Sequence, residues 1–89
     1  MELKYMKNIP GEEVLDLAAL VEVTPGQVVS RTLAQNDHVS ITLFAFDQGE
    51  EISTHASGGD AMVTVLEGTG KFTVDGTPHL VRDGQCLVM

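Results

Sequence analysis

Turn-forming residues, most of them glycines, interrupt the last two thirds of this 89-residue chain at fairly even intervals. They lie at Pro25-Gly26, Asn36-Asp37, Gln48-Gly49, Gly58-Gly59, Gly68-Thr69-Gly70, Asp75-Gly76 and Asp83-Gly84. The segments between them alternate polar and apolar residues, which is typical of β-strands because successive side chains of a strand point to opposite faces. Short strands at such even spacing predict an all-β barrel or jelly roll and exclude a helical bundle.

The turns also give the expected strand boundaries. We expect strands over residues 27–35, 38–47, 62–67, 71–74 and 77–82, and from residue 85 onward. A further short polar strand is expected around His55. Asn36-Asp37 is predicted to form a two-residue hairpin loop, which requires positive φ. The strand 38–47 carries apolar side chains on both faces near Phe44 and Phe46, so we expect it to be covered on both sides there.

The first 26 residues follow a different pattern. Four apolar residues recur at the spacing of one helical face: Val14, Leu17, Ala18 and Val21. The same segment also suits a buried extended chain, so we expect a short helical turn with strand-like flanks, with Glu12 and Glu13 near its N-terminus as the helix dipole favours. Residues 1–10 are expected to form a peripheral strand or arm that packs on a partner. Residues 1–26 would thus form an arm and short helix packed on a barrel of residues 27–89.

Charge and hydropathy narrow the range of partners. Thirteen acidic against five basic residues give a net charge of −8, which repels nucleic acid and anionic membrane surfaces. No apolar run approaches the length of roughly 20 residues that a membrane helix needs, and the N-terminus lacks the apolar core of a secretory signal. We therefore expect a cytoplasmic protein with neither a nucleic-acid nor a membrane partner. Cys86 is the single cysteine and is predicted to be a buried structural thiol.

The spacing of residues 49–68 resembles the first sequence motif of the cupin family. That motif reads Gly, five residues, His, one residue, His, three or four residues, Glu, six residues, Gly. Gly49, His55 and Gly68 match it, whereas Ser57 stands in place of the second His and Ala61 in place of the Glu. The resemblance extends from about residue 27 onward and implies a cupin-type double-stranded β-helix, or jelly-roll, barrel.

The second cupin motif begins with Gly, five residues and Pro. Gly84 is followed by five residues, and the sequence ends at Met89, where the Pro would come next. The resemblance therefore implies a C-terminally incomplete barrel, with unpaired strand edges and exposed apolar surface around Phe44, Val65 and Leu87. Such edges pair readily with another chain, and dimers are common among cupins. We expect a homodimer, with exchanged or intermolecularly paired strands as one form of it.

The resemblance implies a metal site in which imidazoles and one carboxylate hold Fe, Mn, Zn or Ni. Residue-by-residue transfer leaves only His55 as a ligand, because Ser57 is a poor ligand and Ala61 has no ligand atom. We therefore expect non-catalytic binding of a small molecule in the barrel, with no catalytic residue assigned. The residues expected to contact it are His55, Ser57, Phe44 and Met62.

A second interpretation stays open: a metal-dependent cupin enzyme of the oxygenase or isomerase type, represented here by an incomplete chain, with His55 as a metal ligand. The other polar candidates are expected to have structural roles. His38 is expected to face solvent beside a turn, and Asp60 to hydrogen-bond to the backbone of the Gly58-Gly59 turn. For His79, which lies in a predicted strand after Pro78, a structural role is also favoured over ligation.

Overall fold

The computed structural model describes residues 3–50 and 60–89. Apart from one 3₁₀ helix, Leu17–Leu20, the regular structure in these residues is β-strand. The strands are β1 (Val28–Gln35), β2 (Ser40–Phe46), β3 (Met62–Thr64), β4 (Thr69–Val74), β5 (Thr77–Arg82) and β6 (Cys86–Val88). The predicted all-β class is confirmed. The chain divides into two compact units, residues 1–53 and 54–89, which are described in turn.

The first unit is built on the antiparallel hairpin of β1 and β2. A β-bulge interrupts their register, because Thr32 lies opposite Thr42 whereas Ala34 lies opposite Ile41. The bulged residue, Leu33, accepts a hydrogen bond at its carbonyl oxygen from the Lys7 backbone N–H at 2.8 Å. The N-terminal arm is thus hydrogen-bonded to β1 of its own chain at the bulge.

The loop between β1 and β2 differs from the predicted two-residue turn. It comprises residues 36–39, and neither Asn36 nor Asp37 has positive φ. Instead, the Asn36 Oδ1 atom accepts hydrogen bonds from the backbone N–H groups of His38 and Val39, at 2.8 and 3.0 Å. The prediction was wrong because an asparagine side chain can close a turn through its own amide oxygen, without a left-handed backbone.

The predicted short helical turn is present as the 3₁₀ helix, but its N-terminal region differs from expectation. Asp16 precedes the helix, and its carbonyl oxygen accepts a hydrogen bond from the Ala19 N–H at 3.0 Å. Glu12 has a φ of 60°, so the chain is not helical there. Glu12 and Glu13 therefore lie before the helix and do not interact with its first turn, and Val14 is fully exposed.

The second unit contains two antiparallel pairs, β4 with β5 and β3 with β6. Asp75 and Gly76 join β4 to β5 with φ values of 49° and 80°, which confirms the predicted two-residue hairpin turn. The return strand β3 ends at Thr64 rather than at residue 67, and its partner β6 follows more than 20 residues later. The predicted strand around His55 and the Gly58-Gly59 turn lie outside the described residues.

Gly70 is the site of a close approach within β4. A Cβ atom added there would lie 2.6 Å from the Cε2 atom of Phe72, two residues along the same face. The Phe72 ring therefore covers the Gly70 backbone. Gly70 was predicted to belong to a turn, but the positive φ of 93° is at Gly68, and β4 already begins at Thr69.

Several side chains are more exposed or more buried than expected. Cys86 was predicted to be buried but is exposed, because it lies opposite Thr64 on the open face of the β3–β6 pair. Val65 and Leu87, predicted to lie in an exposed apolar surface, are half-buried. Among the described residues of the second unit, the exposed large apolar side chains are instead those of Met62, Leu66, Leu80, Val88 and Met89.

Candidate ligand-binding surface

The two faces of the β1–β2 hairpin have different surroundings. Leu43 and Ala45 on one face of β2 are buried, at 8% and 7% exposure. Phe44 and Phe46 on the other face are 46% and 39% exposed, so the expected cover on both sides is wrong at this point. Their ring centroids lie 5.8 Å apart with an interplanar angle of 44°, which is a favourable geometry for an aromatic pair. The pair forms an open aromatic surface.

Hydroxyl groups adjoin this aromatic pair on the same face. The register places Ser30 opposite Phe44 and Thr32 opposite Thr42. The Oγ1 atoms of Thr32 and Thr42 lie 3.4 Å apart, which is long for a hydrogen bond between hydroxyls and leaves both groups free to bond elsewhere. We call this surface the Phe face; its members are Val28, Ser30, Thr32, Thr42, Phe44 and Phe46. It combines rings that can stack on a flat ligand with hydroxyls that can donate or accept hydrogen bonds.

The Phe face carries no charged side chain. Arg31, the charged residue of β1, lies opposite Leu43 and therefore belongs to the other face of the hairpin. The polar groups of its members are neutral hydroxyls. Its chemistry is therefore recognition by stacking and neutral hydrogen bonds.

Asp47 holds the open end of the hairpin, where β2 leads into the cupin-like motif. Its Oδ2 atom accepts a hydrogen bond from the Gly26 N–H at 2.7 Å, and its Oδ1 atom accepts one from the Gln48 N–H at 2.9 Å. Its carbonyl oxygen accepts a further hydrogen bond from the Glu50 N–H at 3.0 Å. Gly49 in this turn has a φ of 85°, a value that glycine adopts without strain. The first glycine of the motif thus has a backbone role.

The predicted site residues are divided between the described and undescribed parts of the chain. His55 and Ser57 lie outside the described residues. Phe44 lies in the first unit on the Phe face, whereas Met62 lies in the second unit, opposite Val88 in β3–β6, and is 68% exposed. Their contribution to one common ligand site stays a prediction.

The remaining candidates have the following places in the structure. His38 is exposed in the β1–β2 loop, which fits the expected turn role. Asp60 is exposed, but the turn that it was predicted to support lies outside the described residues. His79 lies in β5 directly opposite Phe72 and is half-buried. His38 thus belongs to the first unit, whereas Asp60 and His79 belong to the second.

The described residues do not fit a cupin metal site. Ala61, in place of the motif's glutamate, exchanges backbone hydrogen bonds with Met89, at 2.8 Å from the Met89 N–H and 3.4 Å to the Met89 carbonyl oxygen. Its methyl side chain has no ligand atom. Within residues 3–50 and 60–89, no three His, Cys, Asp or Glu side chains lie close enough to hold an ion.

Sequence reasoning missed a shallow depression in the second unit. It has a volume of about 530 Å³ and lies along β5 and β6, where His79, Gly84, Gln85 and Cys86 are among its lining residues. The Gln85 Oε1 atom accepts a hydrogen bond from the Arg82 N–H at 2.9 Å, which stabilises the turn at its edge. The Asp83-Gly84 turn was the available signal, since it predicts that the strands on either side of it are neighbours.

The chain belongs to the cupin superfamily. The family model for the cupin domain matches residues 42–89. A crystal structure of a conserved protein of unknown function from Streptococcus pyogenes is similar with a TM-score of 0.93 and 44% sequence identity, over 98% of this chain and 76% of that one. A cupin superfamily protein from Desulfitobacterium hafniense is similar with a TM-score of 0.89 and 36% identity, over 97% of this chain and 79% of that one. The comparison with curated proteins gave no match.

These similarities confirm the resemblance that the motif spacing indicated, and with it the cupin-type all-β fold. Neither neighbour's description names a ligand or a reaction. In the part of the chain that the structure describes, no helix has the length and apolar character needed to cross a membrane. The cytoplasmic location stays a prediction.

Proposed function

We propose that this cupin-fold protein binds a small molecule without catalysing a reaction, and that the Phe face supplies the principal contacts. The observation that carries the proposal is the exposed pair of Phe44 and Phe46 beside the Thr32–Thr42 hydroxyls. Large aromatic side chains left half exposed on a sheet face gain free energy when a ligand removes them from water.

The chemistry of the face favours a neutral ligand with a flat apolar part and a hydrogen-bonding group, as in a phenol. The face offers no cation to pair with an anionic ligand, and the net charge of −8 repels anions from the whole chain. Threonine and serine hydroxyls can both donate and accept, so either kind of polar group on the ligand is accommodated.

Three further residues are expected to contact the ligand. His55 and Ser57 follow Gly49 by six and eight positions, at the places where the cupin motif has its two histidines. Hydrogen bonds from these two residues to a ligand stay predictions. The same holds for an apolar contact of Met62, whose flexible thioether side chain adapts readily to an irregular ligand surface.

Titration calorimetry with a set of neutral phenols tests the proposal. We expect Phe44→Ala to weaken binding of the best phenol by about tenfold or more, as the loss of an aromatic contact predicts. Val39→Ala is the matched control, since Val39 is an apolar residue of the β1–β2 loop with 51% exposure. Its effect should stay within about twofold. Equal effects of the two substitutions, or no binding of any phenol, would contradict the proposal.

A metal-dependent enzyme is the second candidate function. It is favoured by His55, which occupies the first-histidine position between the matching glycines Gly49 and Gly68. Such a site would need its other ligands from outside the described residues or from another chain. When Fe, Mn, Zn or Ni is bound by histidine and carboxylate groups, it can act as a Lewis acid or orient a substrate.

Elemental analysis separates the two candidates. The protein is purified without chelator and without an affinity-tag metal, in parallel with His55→Ala and His38→Ala. Near-stoichiometric metal that is lost in His55→Ala but kept in His38→Ala would establish the second candidate in place of the first. Metal well below stoichiometry in all three proteins is the result that non-catalytic binding predicts.

A further inference from the structure

Strand β5 has an outer edge, which we define as the edge turned away from its partner β4. In the described part of the chain, β5 pairs with β4 alone. The two-residue turn at Asp75-Gly76 makes Val74 and Thr77 a hydrogen-bonded pair, and such pairs alternate with unbonded pairs along an antiparallel ladder. Every second residue of β5 therefore directs its backbone groups at the outer edge. These residues are Pro78, Leu80 and Arg82.

The surroundings of this edge are open and partly apolar. Leu80 is 62% exposed, and it shares its face of the hairpin with the exposed Lys71, directly opposite, and the exposed Arg82, two residues further along the strand. An accessible strand edge with apolar side chains is a template on which another chain can add a strand. The outer edge of β5 would therefore be such a template if its backbone groups were unoccupied.

Gln85 occupies both outward backbone groups of Arg82. The Arg82 N–H donates a hydrogen bond to the Gln85 Oε1 atom at 2.9 Å, and the Arg82 carbonyl oxygen accepts one from the Gln85 N–H at 2.8 Å. An added strand would have to pair with these same two groups. Gln85 reaches them because the Asp83-Gly84 turn, with a φ of 76° at Gly84, folds the chain back immediately after β5. We call this pair of hydrogen bonds the Gln85 clip.

Proline limits the opposite end of the edge. Pro78 has no backbone N–H, so it offers an added strand an acceptor but no donor. Of the three outward residues, Leu80 thus keeps both a donor and an acceptor, whereas Pro78 and Arg82 do not offer the pair. A β-ladder requires donors and acceptors repeated at every second residue. One such residue between two blocked ones is too short for a stable added strand.

We propose that the Gln85 clip and Pro78 together prevent other chains from adding a strand at the outer edge of β5. The shallow depression along β5 and β6 lies at this edge, with Leu80 and Gln85 among its lining residues. Space beside the edge is therefore open, and the protection comes from occupied or missing backbone groups rather than from a covering segment. The inference is independent of the proposed ligand binding, because the Phe face lies on the β1–β2 hairpin of the first unit.

Two substitutions that open the edge test the proposal. Gln85→Met keeps the length of the side chain but removes the acceptor of the Arg82 N–H, and Pro78→Val supplies the missing donor. We expect the double variant to form thioflavin-positive aggregates about tenfold or more faster than the original chain at the same concentration. In Gln85→Met alone, hydrogen exchange measured by NMR should show the Arg82 amide exchanging about tenfold faster, because its acceptor is lost.

Matched controls separate edge protection from composition and stability. Gln48→Met with Thr73→Val makes similar changes at exposed residues away from the outer edge, since Thr73 lies in β4 opposite Pro78. Gly70→Ala is expected to destabilise the same hairpin while it leaves the Gln85 clip intact. Both controls should aggregate at close to the original rate. Equal rates in the original chain and the double variant, controls as fast as the double variant, or unchanged exchange at Arg82 would each overturn the proposal.

Discussion

The carboxylate of Asp47 accepts a hydrogen bond from the backbone N–H of Gly26 at 2.7 Å, across 21 residues of sequence. It thereby joins the Thr24-Pro25-Gly26 turn, which precedes β1, to the turn that follows β2. Both turns were predicted from their glycines, and both are present: the Gln27 N–H donates to the Thr24 carbonyl oxygen at 3.0 Å, and Gly26 has a φ of 72°. The contact between them fixes the end of the hairpin that carries Phe46.

Substitution of Asp47 by alanine is therefore expected to destabilise the hairpin end. The change leaves the N–H groups of Gly26 and Gln48 without their carboxylate acceptor. We expect the free energy of unfolding to fall by about 1 to 2 kcal/mol, a usual range for hydrogen bonds to a charged group. Urea denaturation measures it. Asp37→Ala, in the exposed β1–β2 loop, is the control and should change stability by less than about 0.5 kcal/mol.

Asn36 gives a second prediction, because its side chain closes the β1–β2 loop. Asn36→Ala removes the acceptor of the His38 and Val39 N–H groups and is expected to cost about 1 kcal/mol of unfolding free energy. Asn36→Asp keeps an oxygen at the accepting position and should cost clearly less. Equal losses in the two variants, measured by urea denaturation, would show that the side-chain acceptor does not determine the loop.

Gly70 gives a third prediction, because the ring of Phe72 occupies the space of its missing side chain. Gly70→Ala is expected to destabilise the protein by about 1 kcal/mol or more, since the ring must move away from its packed position. In a Phe72→Leu background, the same substitution should cost less. A double-mutant cycle by thermal or urea unfolding measures this coupling. Purely additive effects would mean that the two residues do not interact.

The hydroxyls of the Phe face give a fourth prediction, which depends on the proposed ligand binding. Thr42→Val removes the hydroxyl that lies 3.4 Å from Thr32 Oγ1 while it keeps the shape of the side chain. We expect phenol binding to weaken by about fivefold, as the loss of one neutral hydrogen bond predicts. Thr73→Val, on the exposed face of β4, is the matched control. If calorimetry gives equal phenol affinities for the two variants, the hydroxyls of the Phe face do not contact the ligand.

Local turn chemistry made much of the fold predictable. Asp75-Gly76 was placed correctly, and β5 has the predicted bounds, because a two-residue hairpin with positive φ leaves few alternatives for the neighbouring residues. The Asn36 loop was misjudged because asparagine can either adopt positive φ or cap a turn with its side chain. Sequence spacing does not distinguish these two conformations.

The candidate site was predictable in part. The motif spacing identified the family and selected His55 and Ser57, whose ligand contacts stay predictions. Phe44 was also selected, and it was expected both to lie in a covered strand and to border an exposed apolar surface; the structure shows it exposed and paired with Phe46, because an alternating pattern shows which residues share a face and not whether that face is covered. Cys86 was misjudged for the same reason, since its apolar neighbours suggested burial.

The sequence by itself determined the all-β class, the cupin motif frame and the turns at Gly26, Gly49 and Gly76, because these depend on interactions within a few residues and on glycine's access to positive φ. Only the tertiary structure decided that β3 pairs with β6, that the arm bonds to the Leu33 bulge, and that Lys71 and Arg82 share an open face with Leu80. Those outcomes depend on which distant segments meet, and their energies come from contacts between residues that no local pattern brings together.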